Sequence, residues 1–147
     1  MANKKNLIIA GVAILAGVVY YAYHEFNRKP ESTSEKSATA SFKADSLAAA
    51  FESNDSLATL QYCGKIIEVE GIIQEKSAEN GAVRLHLKGS EMSNVICQFE
   101  ARDSAIFNTV NTGAKVCLKG QCNTYQKVDL LPGGDVLLSN CVWIEKK

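Results

Sequence analysis

The chain has little of what catalysis requires. Two of its 147 residues are histidines, and only His86 lies within the expected folded domain, so a positioned general base has one candidate. There is no Gly-x-Ser-x-Gly elbow, phosphate-cradling Gly-Lys loop or paired-histidine motif, and no Cys-x-x-Cys of the redox type. Charge of one sign is also missing: sixteen basic and sixteen acidic residues cancel. From Phe42 onward eleven Lys or Arg face thirteen Asp or Glu, a net of minus two where a phosphate-neutralising surface would be basic. No cysteine precedes Cys63, so none lies near residue 20 to carry a lipid. There is no internal repeat.

What is present divides into unlike parts. Leu7 to Tyr23, "LIIAGVAILAGVVYYAY", is seventeen uncharged residues, at the short end of the roughly 17 to 25 needed to span a bilayer. A cleaved signal would place small residues after the apolar run; here Tyr20, Tyr21 and Tyr23 lead into "HEFNRK", an aromatic belt with a polar stop. A retained anchor is therefore expected over a cleaved signal or a buried core helix. Lys4 and Lys5 against Arg28 and Lys29 leave its orientation nearly even. Five cysteines in about a hundred residues suit an oxidising compartment, which places the C-terminal part outside the cytoplasmic membrane. The expected organisation is a tail over 1–5, a transmembrane anchor over 6–24, a flexible linker over 25–41 and a folded domain over 42–147. The linker's "NRKPESTSEKSATAS" has no large apolar residue to bury.

Within the domain, Leu47, Phe51, Ala58 and Tyr62 recur at helical spacing, with Asp45 or Ser46 as N-cap and Asn54 and Asp55 weakening the centre, so one helix or two short ones are expected. Short strands follow. Ile67, Val69 and Ile73 alternate with Glu68 and Glu70; Val83, Leu85 and Leu87 alternate with Arg84, His86 and Lys88; Val95, Cys97 and Phe99 share one face. "EARDSAIFNTVNTG" has near-helical spacing and Gly113 as a stop signal. Two further strands, "AKVCLKGQC" and "VLLSNCVWIEKK", are separated by a long segment whose Pro132, Gly133, Gly134 and Asp135 are turn residues. Gly71, inside the first strand, marks the expected site of a bulge or bend.

Three strands, a helix and two strands is the order of the OB-fold. "YCGKIIEVEGII" (62–73), "VICQF" (95–99), "GAKVCLKGQC" (113–122) and "DVLLSNCVWI" (135–144) resemble, in order, the landmarks of the tRNA-anticodon-like family of small OB-fold domains, over residues 44–144. The resemblance implies a mostly β fold: a five-stranded OB-fold Greek-key barrel with an N-terminal helix, a short helix between strands 3 and 4, and one transmembrane helix before it. Family members often sit behind a signal or anchor in bacteria. The family name implies a fold and no demonstrated tRNA ligand.

The resemblance also implies a Cys122–Cys141 disulfide, because both match positions where the family often carries cysteine. Closing that loop would add ~3 kcal/mol in the chain-entropy view. A simple hairpin would instead set Cys117 opposite Asn140 and Cys141. Cys97 is expected to be a small buried hydrophobe, and a zinc site from Cys97, Cys117, Cys122 and Cys141 is a remote alternative. Since five is odd, one thiol stays free or pairs between chains.

No cofactor and no catalytic residue is expected. Glu68 and Glu70 share a face as a carboxylate pair could, yet read as a wet strand face; Trp143 reads as core. Arg84, His86, Lys88, Lys119 and Tyr125 are the candidates to face a ligand, and Lys115 would extend the basic patch. The expected function is a non-catalytic, membrane-anchored, extracytoplasmic binding module for a protein, peptide or glycan. The alternatives are a single-stranded nucleic-acid binder, disfavoured by charge, and a structural subunit of an envelope complex.

Overall fold

The computed structural model describes residues 4–27, 33, 35–103 and 105–145, and the chain divides into two units, 1–31 and 32–147. The first is helix α1, Lys4–Phe26, longer by two residues at each end than the expected span. Its segment Ile8–Phe26 is long and apolar enough to cross a membrane, and side chains along it from Ile8 to Phe26 are exposed. Residues 1–3 of the expected tail and residues 28–32 and 34 of the expected linker lie outside the described residues.

The second unit begins earlier than its apolar content suggests. Ala40–Lys43 form strand β1, which pairs in parallel with the following strand through Ala40↔Ile67 to Lys43↔Glu70. The sheet thus has six strands where five were expected. Small polar residues hid the sixth, which is set by the neighbouring backbone and by Phe42, packed edge-on against Tyr62 at 5.0 Å. Two helices follow, α2 (Ala44–Ser53) and α3 (Asp55–Tyr62). Asn54, extended at φ −158°, closes the first and caps the second, its side chain accepting from the Leu57 amide at 3.0 Å. The expected N-cap is not where α2 starts: Lys43 occupies that position without a side-chain cap, and Asp45 accepts instead from the adjacent Ser46 amide.

Strands β2 (Ile66–Glu79), β3 (Ala82–Leu87), β4 (Asn94–Phe99), β5 (Lys115–Lys127) and β6 (Gly134–Trp143) complete the sheet. Its order is β1-β2-β3-β4-β6-β5, with β2 also paired to β5. The pairings therefore run in a circuit from β2 back to β2, antiparallel except at β4–β6, and this is the connectivity of an OB-fold. Asn80 and Gly81, both at positive φ (52° and 80°), make the tight turn between β2 and β3. Alternation along β3 and β4 sends Val83, Leu85, Leu87, Val95, Cys97 and Phe99 inward, where Leu47 and Phe51 of α2 join them.

Beyond β4 come a short turn of helix, Ala101–Asp103, and α4, Ala105–Thr109. The inward-facing Lys76 stops α4. Its ammonium donates to the carbonyls of Phe107 (3.0 Å) and Val110 (2.7 Å) and lies 4.7 Å over the Phe107 ring.

Gly71 plays a different part from the one expected. The register irregularity of β2 falls between Ile73 and Glu75, after β2 has exchanged β5 for β3 as its partner. At Gly71 itself α2 comes close: a Cβ there would lie 2.9 Å from the Ala44 Cβ. The turn segment before the last strand is also shorter than expected, because β5 runs on to Lys127 and leaves Val128 to Gly133 as the β5–β6 loop.

Candidate functional site

The residues expected to face a ligand fall into separate neighbourhoods. Arg84 and His86 project from the outer face of β3, opposite Gln98 and Ile96 of β4 and opposite Ser77 and Glu75 of β2. Arg84 lies 3.6 Å from Glu79, and the His86 ring approaches the Ser77 hydroxyl at 3.5 Å. This is the face on which OB-folds carry oligonucleotides or oligosaccharides. Here its charges are mixed, with Glu79 beside Arg84 and Glu75 across from His86. Lys88 lies beyond β3, on a cleft of about 360 Å³ that includes Lys43, Lys115, Glu70 and Gly71. Lys115 already pairs with Glu70 at 2.6 Å. Lys119, on β5, donates to the Lys36 carbonyl at 2.8 Å.

Tyr125 is half-buried rather than a free platform. Its ring stacks on Phe51 at 5.3 Å, and its hydroxyl meets Ser93 at 3.1 Å. It borders a cleft of about 490 Å³ between the end of α2 and the β5–β6 loop, lined also by Phe51, Met92, Leu130, Leu131 and Pro132. Lys127 crosses to Asp55 at 2.7 Å at this cleft, and that contact holds the Asp55 carboxyl below its ordinary range. Above it, Leu130 is fully exposed (102%) and Leu131 67% exposed. Leu130 also holds a positive φ of 72°, which a leucine rarely adopts. These two residues were overlooked in the sequence. The signal was there: two leucines inside "VDLLPGG", apolar side chains in a segment whose neighbours form a turn.

The cysteines group differently from either expected pairing. None of the five is joined in a disulfide. The register of β5 on β6 sets Cys122 opposite Leu138, and the residue hydrogen-bonded to the Cys117 carbonyl is Ile144. Neither Cys122 nor Cys117 is set opposite Cys141. Cys122 lies instead beside Cys63, Sγ to Sγ 3.8 Å; Cys141 is pushed up by its burial and by Cys97 next to it; Cys117 donates to Glu68 at 3.1 Å. The four cysteines of the zinc alternative are thus divided among three contacts. Among the described residues no group of three or more His, Cys, Asp or Glu could hold a metal ion. Glu68 and Glu70, read as a possible carboxylate pair, each have a partner of their own. Trp143 is partly buried and packs against the core.

Comparison with known proteins agrees with this geometry. Among solved structures, the chain is similar to one from Klebsiella pneumoniae subsp. pneumoniae described as a "putative nucleic acid-binding lipoprotein", with 17% identity over 80% of this chain and 100% of that one and a TM-score of 0.58. It is also similar to an OBody bound to hen egg-white lysozyme (13% identity, 59% and 88% covered, TM-score 0.44). A third likeness is to the S. pombe Stn1–Ten1 complex (15%, 55% and 59%, 0.39). At such identities the first of these speaks for the fold alone. No curated protein sequence matches the chain. The profile of the tRNA_anti-like family aligns with residues 1–141, taking in the helix pair and all but the last residues of the sheet, and the chain belongs to that family.

Proposed function

We propose that this protein is a non-catalytic OB-fold binding module, anchored by α1 in a bacterial cytoplasmic membrane, that presents its β5–β6 loop to a protein or peptide partner in the periplasm. The observation that carries this reading is the exposure of Leu130 and Leu131 at the tip of that loop, over the cleft bordered by Tyr125. Apolar side chains held in water at a loop tip gain stability only when something covers them. The loop between the last two strands is one that OB-folds use for recognition. The cleft's own carboxylates, Glu52, Asp55 and Asp129, together with the net negative charge of the domain, favour a polypeptide over a phosphate backbone or a glycan chosen for its anionic groups. The membrane-crossing length of α1 and the five cysteines support the location.

The test uses the full chain in its own membranes, with a photo-crosslinking residue at position 131. A discrete crosslinked protein is expected. Leu130→Ser combined with Leu131→Ser, with the crosslinker moved to Met92, should lose that product while the melting temperature stays within a degree or two, as for a surface change. Undiminished crosslinking in the double variant would end this reading. A nucleic-acid role is favoured instead if the purified chain binds single-stranded oligonucleotides with an affinity that falls steeply with salt.

A further inference from the structure

Outside the loop and cleft, the thiols of Cys63 and Cys122 approach each other closely. Cys63 is the residue that ends α3, with φ −63° and ψ 141°, and its amide donates to the Thr59 carbonyl at 3.0 Å. Cys122 lies near the middle of β5. Their sulfurs are 3.8 Å apart although the residues are 59 positions apart in sequence. The approach is built into the backbone. On one side the Gly64 amide donates to the Cys122 carbonyl at 2.7 Å, and on the other the Cys122 amide donates to the Lys65 carbonyl at 3.0 Å. Two short main-chain bonds therefore hold the segment after α3 against β5 at this residue. A bond between them would bring the sulfurs from van der Waals contact to ~2.05 Å.

We propose that Cys63 and Cys122 are a disulfide-forming pair, oxidised by thiol–disulfide exchange, whose bridge fastens the end of α3 to β5. The exchange requires an external disulfide, R–S–S–R, as oxidant. Cys63, half-exposed, loses its proton and attacks one sulfur of R–S–S–R; that S–S bond breaks, and the departing R–S⁻ takes up a proton. Cys122 then loses its proton and attacks the Cys63 sulfur of the mixed disulfide, and the second R–S⁻ leaves and is protonated. Two protein thiols are oxidised, one external disulfide is reduced to two thiols, and the protons balance. The order follows from access, since Cys122 has no exposed surface. Burial, and then Cys63 beside it, push the Cys122 thiol up from its ordinary value, so it is a poor first nucleophile and, once bonded, a poor leaving group. The remaining thiols are differently placed: Cys97 and Cys141 are both buried beside each other, and Cys117 is bonded to Glu68.

The five cysteines fall on five different tryptic peptides, 44–65, 89–102, 116–119, 120–127 and 128–146. The linkage can therefore be read directly. Purified full-length chain in detergent is treated, folded, with oxidised glutathione, alkylated and digested. The expected product joins peptide 44–65 to peptide 120–127, with the other three cysteines alkylated. The linked protein should melt about 10 °C or more above the reduced one, because the bridge closes a long loop. Cys63→Ser removes a half-exposed thiol from a chain end of a helix and should fold, form no link and melt at one temperature with or without oxidant. A link from 120–127 to 128–146, five alkylated cysteines after oxidation, or an oxidant-dependent rise in the melting temperature of Cys63→Ser would each overturn the proposal.

Discussion

At Gly71 the sheet and the helix above it leave no room for a side chain. A Cβ would sit 2.9 Å from the Ala44 Cβ and 3.2 Å from the Leu87 Cβ, both on elements fixed by the core. Gly71→Val is therefore expected to destabilise by about 1–3 kcal/mol, the usual cost of overpacking, and Gly71→Ala by less. Chemical denaturation measures it, and a valine variant as stable as the parent would show that α2 is free to lift. The residue's importance could be read from the sequence, since a glycine inside a β-branched run needs a reason. The reason itself could not, because Ala44 reaches it only once α2 has been laid on the sheet. The same holds for Cys63. Nothing in its surroundings along the chain points to Cys122, and only the fold brings the two together, whereas inward-facing Cys97 followed from simple alternation.

Between residues 44 and 62 the helical pattern leaves one element or two open, and a single side chain decides that there are two. Asn54 ends α2 in an extended conformation and bonds the Leu57 amide to start α3. Asn54→Ala should cost about 1 kcal/mol, while Asn54→Asp, which keeps an acceptor, should cost little. Thermal denaturation of the two variants separates a capping role from any effect of helix propensity, because alanine is the better helix former. Strands were more legible than helices where one face is buried. The alternation of β3 and β4 holds residue by residue. The pairing of β5 with β6 was less so, because one bulge on each strand interrupts its register, and bulges leave no mark in a pattern of apolar residues.

For the whole molecule, the folded unit starts with backbone rather than with core. Thr39 donates to the Ile66 carbonyl at 2.8 Å, Ala40 and Ser41 pair with Ile67 and Glu68, and the Lys36 carbonyl accepts from Lys119 at 2.8 Å. A domain beginning at Phe42 retains every large apolar side chain of the unit yet should melt roughly 5 °C below one beginning at Lys36, since ~1 kcal/mol moves a domain of this size by about that much. Equal melting temperatures would return the boundary to Phe42. The order of strands was legible in four short motifs, as was the apolar helix before them. Leu130 and Leu131 stood out only as apolar residues in a turn-rich segment, and which of its side chains face solvent is decided by the fold.

β1 gives the molecule one mechanical property. A pull arriving along the chain from the N-terminal side meets its four residues before it meets α2 or β2. Directed along the strand, it loads all the rungs shared with β2 in shear together, where a perpendicular pull would open them singly. Under a load along its axis, β1 is therefore a clamp whose four rungs must shear together before the force reaches α2.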